Sequence, residues 1–217
     1  MANTLIMKEI LIKPPKQKRA IRKFHQVLDA VPTAVALYGF KKTTAAKLAL
    51  EAEISIGSFY DYFSCKEAAF IAFLDRELDN ALTEVAEDAC NAKGNAEGVI
   101  RLLVSTGLTF VTSHPMLIKG MLMENPMFVQ NIDLTRSKQR IAEIGIAFAE
   151  SHQLRLTDKD PNLMIYSLTN VVLGFQLRIG LMGDEQYTRD QVINEMTDII
   201  SRYLFLNETT KIAASDR

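Results

Sequence analysis

Apolar residues recur three and four positions apart along almost the whole chain, and alternating strand-like runs are nearly absent. After Pro14-Pro15 this spacing predicts a helix from about Lys16 to Tyr38. Ile21, Phe24, Leu28, Val31, Val35 and Leu37 lie near one face, and Gly39 ends the helix. Pro32 falls inside the pattern, where it removes a donor and clashes with the preceding turn, so a kink or break near Val31 is expected. Thr43-Thr44 can cap a second helix to about Glu51, and Ser55 a third to about Tyr62. Ser64, with Glu67 three residues later, reads as a capping box opening a fourth helix. Its stripe of Phe70, Phe73, Leu74, Leu78, Leu82 and Val85 lasts until Lys93-Gly94-Asn95. Further helices are expected over about Ala96–Ser113, Met116–Met123, Met127–Gln153, Asn162–Met182 and Thr188–Leu206. The fold class is therefore all-α, with about nine helices. An N-terminal arm takes 1–15, a three-helix head 16–63, a larger helical body 64–206 and a polar tail 207–217.

The head contains an unusual stretch, "EISIGSFYDYFSCKE", in which Phe59, Tyr60, Tyr62 and Phe63 crowd together behind Ser55 and Gly57. Two helices joined by Ala52-Glu53-Ile54 have the dimensions of a helix-turn-helix. Ala49 is small where two axes would cross, and Leu48, Ile54, Phe59 and Phe63 can form the inner face. Ser58, Tyr60 and Tyr62 are then expected to project outward, suited to entering a major groove. Gly57 would let backbone approach a base or phosphate, and the tyrosine hydroxyls can donate to phosphate oxygens. Lys66 adds positive charge at the start of the next helix. The competing reading makes Tyr60 and Tyr62 half-buried core aromatics and Lys66 an ordinary surface lysine.

Charge sharpens the picture. Over 217 residues the formal net charge is only −1, but residues 1–66 hold 11 Lys/Arg against 5 Asp/Glu. The remainder holds 14 against 21, so a cationic head joins an anionic body, and a polyanion partner is expected for the head alone. Cys65 and Cys90 show neither metal-knuckle nor redox spacing, and reduced thiols are expected. The apolar run Leu163–Met182 is interrupted by Asn170, Gln176 and Arg178, as suits a helix buried in protein rather than lipid. The N-terminal "NTLIMKEILIK" lacks a cleavage site and is too short for a secretory core. A cytoplasmic location follows as the expectation.

The segment Gly39–Phe70 resembles the DNA-binding head of the TetR family of transcriptional repressors. The resemblance is carried by Gly39-Phe40, Thr43-Thr44, Leu48-Ala49, Ala52, Ile54-Ser55, Gly57, Phe59-Tyr60, Phe63 and Lys66-Glu67 in register, with Val27-Leu28-Asp29-Ala30 upstream. It implies that Thr44, Ser55, Tyr60, Tyr62 and Lys66 anchor phosphates, and that Ile56, Gly57 and Ser58 lie nearest the bases. Lys42 and Thr43 are grouped with the same DNA-binding set. Four residues depart from the family pattern: Glu53 at a turn site usually held by Gly, Ile56 where Lys is frequent, Asp61 near the phosphates, and Pro32.

For the body, the resemblance and the pattern agree on a homodimer. The Asn162–Met182 helix has no wide polar face and so needs covering on all sides. The expected interface residues are Ser167, Val171, Gly174, Phe175, Arg178, Met196, Ile200 and Tyr203. Two recognition helices would then meet half-sites about one helical turn apart, on the order of 34 Å or a multiple of it. The Met-rich, Pro-marked stretch "FVTSHPMLIKGMLMENPMFVQ" suggests an adaptable pocket for a small apolar or amphipathic effector. Its expected lining is Phe110, His114, Met116, Met121, Met123, Met127, Phe128, Phe148, Tyr166 and Asn170. No cofactor and no metal site is expected. His25, His114 and His152 are scattered, and neither a phosphate loop nor a nucleophile elbow occurs, which disfavours an enzyme. The alternatives are a ligand-binding homodimer without specific DNA recognition and, further off, a small-molecule enzyme. The sign of regulation stays open.

Overall fold

The computed structural model describes residues 12–91, 96–124, 135–151, 157, 159–182 and 186–205. The described residues form nine helices: α1 Lys18–Tyr38, α2 Ala45–Glu51, α3 Ile56–Tyr62, α4 Lys66–Asn91, α5 Ala96–Ser113, α6 Pro115–Glu124, α7 Thr135–Ser151, α8 Pro161–Met182 and α9 Arg189–Leu204. No strand occurs among them beyond one isolated antiparallel bridge, Ile12 with Phe63. None of these helices is long and apolar enough to cross a membrane.

The helix ends follow the local chemistry. Asp160 Oδ1 accepts from Asn162 N at 2.8 Å, so α8 opens with Pro161 just inside its first turn. Thr188 and Gln191 form a reciprocal capping box on α9. Gly39 takes φ +75° at the end of α1 and donates to Val35 O. α1 continues through Pro32, so the break expected there as one of two outcomes does not occur. Val27, Leu28, Val31, Ala34 and Val35, on both sides of the proline, are buried in one core, and this packing outweighs the lost backbone bond.

The chain divides into two units, Met1–Glu77 with Met116–Ile132, and Leu78–Pro115 with Asp133–Arg217. In the first, α1, α2 and α3 pack on one another around Leu28, Leu48, Phe59, Phe63 and Phe70. α6 belongs to this core, through Leu117 and Met121. In the second, α5 is central. Val99 packs with Leu82 and Val85 of α4 and with Ile144 and Phe148 of α7. Ile100, Val104 and Leu108 pack with Ile193, Met196 and Ile200 of α9. Gly107 leaves room for the Gln176 side chain of α8, whose amide would overlap any Cβ placed there.

The structure corrects two of the expected interface residues. Met196 and Ile200 do not form a dimer face: they are 1% and 7% exposed and belong to the α5–α9 core. With Ile193 and Thr197 they share the one face of α9 that is turned inward.

Candidate nucleic-acid interface

α2 and α3 are held by three local devices. Thr44 caps α2, its hydroxyl accepting from Lys47 N at 3.3 Å, and Ser55 caps α3, accepting from Ser58 N at 3.2 Å. Between them, Glu53 N donates to Leu50 O and Ile54 N to Ala49 O, both at 3.0 Å. This is a Schellman closure, and it requires a left-handed residue at Glu53, which has φ +54°. A glutamate there is strained by about 1–2 kcal/mol relative to a glycine.

α3 has two faces with a one-residue offset. Phe59, Tyr62 and Phe63 turn inward: Phe63 stacks on Phe24 at 4.9 Å, and Tyr62 meets the edge of the same ring at 6.0 Å. Ser55, Ile56, Gly57, Tyr60 and Asp61 are exposed, Tyr60 to 52%. A Cβ at Gly57 would meet nothing nearer than Ser55 Oγ at 4.0 Å, so the missing side chain leaves open space over this face. Ser58 is half-buried, and Lys23 of α1 donates to its Oγ at 3.0 Å.

Of the residues assigned to DNA, the structure places Lys42, Thr44, Ser55, Ile56, Gly57 and Tyr60 on the surface, with Ser58 at its edge. Three assignments change. Tyr62 is 8% exposed and sits in the head core, because positions 59, 62 and 63 fall on one helical face while 60 falls on the other. Thr43 is fully buried, its hydroxyl within reach of Gly39 O at 2.8 Å and Ala34 O at 3.2 Å, where it ties the α1–α2 loop to α1. Lys66 donates to Phe40 O at 3.2 Å and Lys41 O at 3.3 Å, so it clamps the same loop before it can reach a phosphate. Gly120 of α6 packs on the Phe40 ring from the other side, closely enough to exclude a Cβ.

Nearby polar residues brace α2. Tyr38 donates to Glu51 at 2.7 Å, and that bond to a carboxylate holds the phenol above its ordinary pKa. Lys47 lies over the Tyr38 ring at 4.2 Å and donates to Lys42 O at 2.9 Å. Sequence reasoning missed Lys23, a residue its pattern placed only on the outside of α1.

The residues assigned to the pocket are divided between the two units. Met121 lies in the head core, while Met116 and Met123 are 54% and 69% exposed. Phe148 is buried with α4 and α5, and Phe110 and His114 meet edge to face at 5.9 Å. Tyr166 is 63% exposed, and Asn170, also exposed, donates to the Tyr166 carbonyl. Met127 and Phe128 lie outside the described residues.

The remaining residues assigned to the dimer interface lie on α8 and α9. Val171 and Phe175 are 41% and 42% exposed, in line with exposed Leu163, Tyr166, Asn170, Gly174 and Arg178 along α8. Ser167 and Tyr203 are half-buried, with Lys159 Nζ 3.6 Å from the Tyr203 ring centre.

Residues 29–73 match the family of bacterial regulatory proteins, tetR family. Across 198 residues the chain is 28% identical to the fatty acid metabolism regulator protein of Bacillus subtilis (strain 168), covering 85% of this chain and 96% of that one. The fold resembles the transcriptional regulator FadR from Bacillus subtilis, solved in complex with stearoyl-CoA. The TM-score is 0.61 at 18% identity, over 83% of this chain and 98% of that one. It also resembles Thermus thermophilus FadR, a repressor solved in complex with lauroyl-CoA, with TM-score 0.61 at 21% identity over 85% and 96%.

Proposed function

We propose, from the match of residues 29–73 to the tetR family of bacterial regulatory proteins, that the chain is a member of that family and a ligand-responsive transcriptional repressor acting as a cytoplasmic homodimer. It is a regulator and not an enzyme. The observation that carries the DNA-binding role is the split of α3, whose aromatic face is locked into the head while Ile56, Gly57 and Tyr60 stand exposed, as do Thr44 and Lys42. The exposed α8 stripe through Val171 and Phe175 supports the homodimer, since it is a run of apolar side chains in a helix otherwise built for burial.

The effector we propose is a long-chain acyl thioester, amphipathic and anionic at its head. Its support is the pair of relatives solved with stearoyl-CoA and lauroyl-CoA. Phe110 of α5 and His114 just after it are the candidate wall residues for the acyl chain. The effector acts by binding the two states of the dimer unequally, because a ligand shifts an equilibrium only through differential affinity. α4 carries Lys66 at its first residue and Leu82 and Val85 in the second unit, so a change felt by those residues acts on the same helix that clamps the α1–α2 loop.

Selection of genomic fragments on the immobilised protein, followed by anisotropy on the recovered duplex, tests both parts. The duplex is expected to bind with strong salt dependence, and stearoyl-CoA or lauroyl-CoA to release it. Gly57→Ala is expected to raise head stability by about 0.5–1 kcal/mol through helix propensity while weakening duplex binding at least about tenfold. Retention of no duplex at low salt would sink the repressor reading. It would favour instead a ligand-binding homodimer, which Glu53, Ile56 and Asp61 already suggest as the alternative.

A further inference from the structure

The chain leading into the head runs beside α3 and is pinned to it at both ends. At one end Ile12 bridges Phe63 and Lys13 N donates to Tyr62 O at 2.8 Å. At the other, Lys23 Nζ sits 3.0 Å from Ser58 Oγ, in the first turn of α3. The segment thus meets the end of α3 through Ile12, Lys13 and the neighbouring Phe24, and its start through the Lys23 side chain. Along this path lie Lys13, Lys16, Lys18, Arg19, Arg22 and Lys23, with no acidic residue among them. All but Lys23 are exposed, and none forms an ion pair with a described residue. α3 itself contains no lysine or arginine, and its one charge is Asp61.

A helix meant for a duplex but lacking any cation must take its positive charge from a neighbour, because phosphate neutralisation supplies most of the affinity. We infer that the segment Lys13–Lys23 is a second DNA-contacting edge beside α3. In it Lys16 and Arg19 neutralise phosphates, and Lys23, held at Ser58, supplies the charge that α3 lacks. Arg19 lies one helical turn before Lys23 and so on the same face of α1. The Lys23 ammonium, fixed by Ser58, acts where that serine meets the duplex, so it bears on sequence preference as well as on strength. This inference rests on the DNA-binding reading given above.

The test compares the wild type with Lys16→Gln/Arg19→Gln, Lys23→Gln, Lys23→Arg, Ser58→Ala and Lys23→Gln/Ser58→Ala. The control, Lys159→Gln/Arg202→Gln, removes two charges from the second unit. Anisotropy is read against salt on a random-sequence duplex and on a fragment recovered by genomic selection, with melting curves checking the fold. In Lys16→Gln/Arg19→Gln the slope of log affinity against log salt is expected to fall by about 0.9 for each phosphate no longer neutralised, equally on both duplexes. The control is expected to keep the wild-type slope. Lys23→Gln and Ser58→Ala should flatten the preference for the selected fragment non-additively, and Lys23→Arg should restore it. If the wild type binds but Lys16→Gln/Arg19→Gln keeps its slope and the Lys23 and Ser58 effects simply add, the edge is overturned alone. If the wild type binds neither duplex, the DNA-binding reading falls and the edge with it.

Discussion

The two units of this chain differ in where their aromatic rings lie, while both leave some aliphatic side chains outside, Leu37 and Leu50 in the first among them. In the head, Phe59, Phe63 and Phe70 are fully buried, and four aromatic rings of α1 and α3 close on one another. In the second unit, α8 turns Leu163, Tyr166, Val171 and Phe175 outward, all more than 40% exposed. The head packs two helices of seven residues against the longer α1, and its large rings are buried or half-buried with one exception. Tyr60 is that ring, standing on the exposed face of α3 with Ser55, Ile56, Gly57 and Asp61 while Phe59 and Phe63 are fully buried. The second unit has core to spare around α5, so its exposed stripe marks a surface awaiting another protein surface, which we assign to a second copy.

Two phenylalanines test the contrast most severely. Phe63→Ala is expected to destabilise the head by roughly 3–5 kcal/mol in chemical denaturation, because a ring with no exposure leaves a cavity beside Phe24 and Phe59. A loss below about 1 kcal/mol would show that the head is packed loosely, and the comparison would fail. Phe175→Asp is expected to leave the fold of each chain intact but weaken self-association at least about tenfold, an effect of about 1.4 kcal/mol. Sedimentation would read this directly. An unchanged mass distribution would mean that α8 is not the meeting face. The smallest effect lies between α2 and α3. Glu53→Gly should stabilise the head by about 1 kcal/mol, since φ +54° suits glycine, and thermal melting would register the gain. A loss instead would show that the Glu53 side chain makes an interaction worth more than the strain it imposes.

Much of this is legible in the residues. Ser55, Thr44, Thr188 and Asp160 are readable as caps, because a capping side chain acts on amides two or three positions away and needs nothing distant. The conflict at Glu53 is visible through the resemblance, as a residue standing where the family usually has Gly. Where sequence and structure part, the difference is one of direction. The sequence reading aims both Tyr60 and Tyr62 at DNA, although two residues apart on a helix point about 200° apart by the helical period. That constraint is present in the sequence, and the helical period alone separates the two rings. Met121, Met196 and Ile200 are different: their spacing says apolar face, but not which neighbour the face meets. Lys66 reads as a phosphate ligand because its partners, the carbonyls of Phe40 and Lys41, are 26 and 25 residues away.

What the sequence determined alone is what acts within one helical turn or needs no partner: the all-helical class, the caps and the cationic character of the first third. Tertiary structure decided which side of each helix faces inward. It turned Tyr62 into the core, put Thr43 and Lys66 to work on the α1–α2 loop, and brought Lys23 to Ser58 across 35 positions of chain. Backbone hydrogen bonds and caps are local and can be read from neighbours, whereas burial depends on surfaces that meet only after the helices have packed.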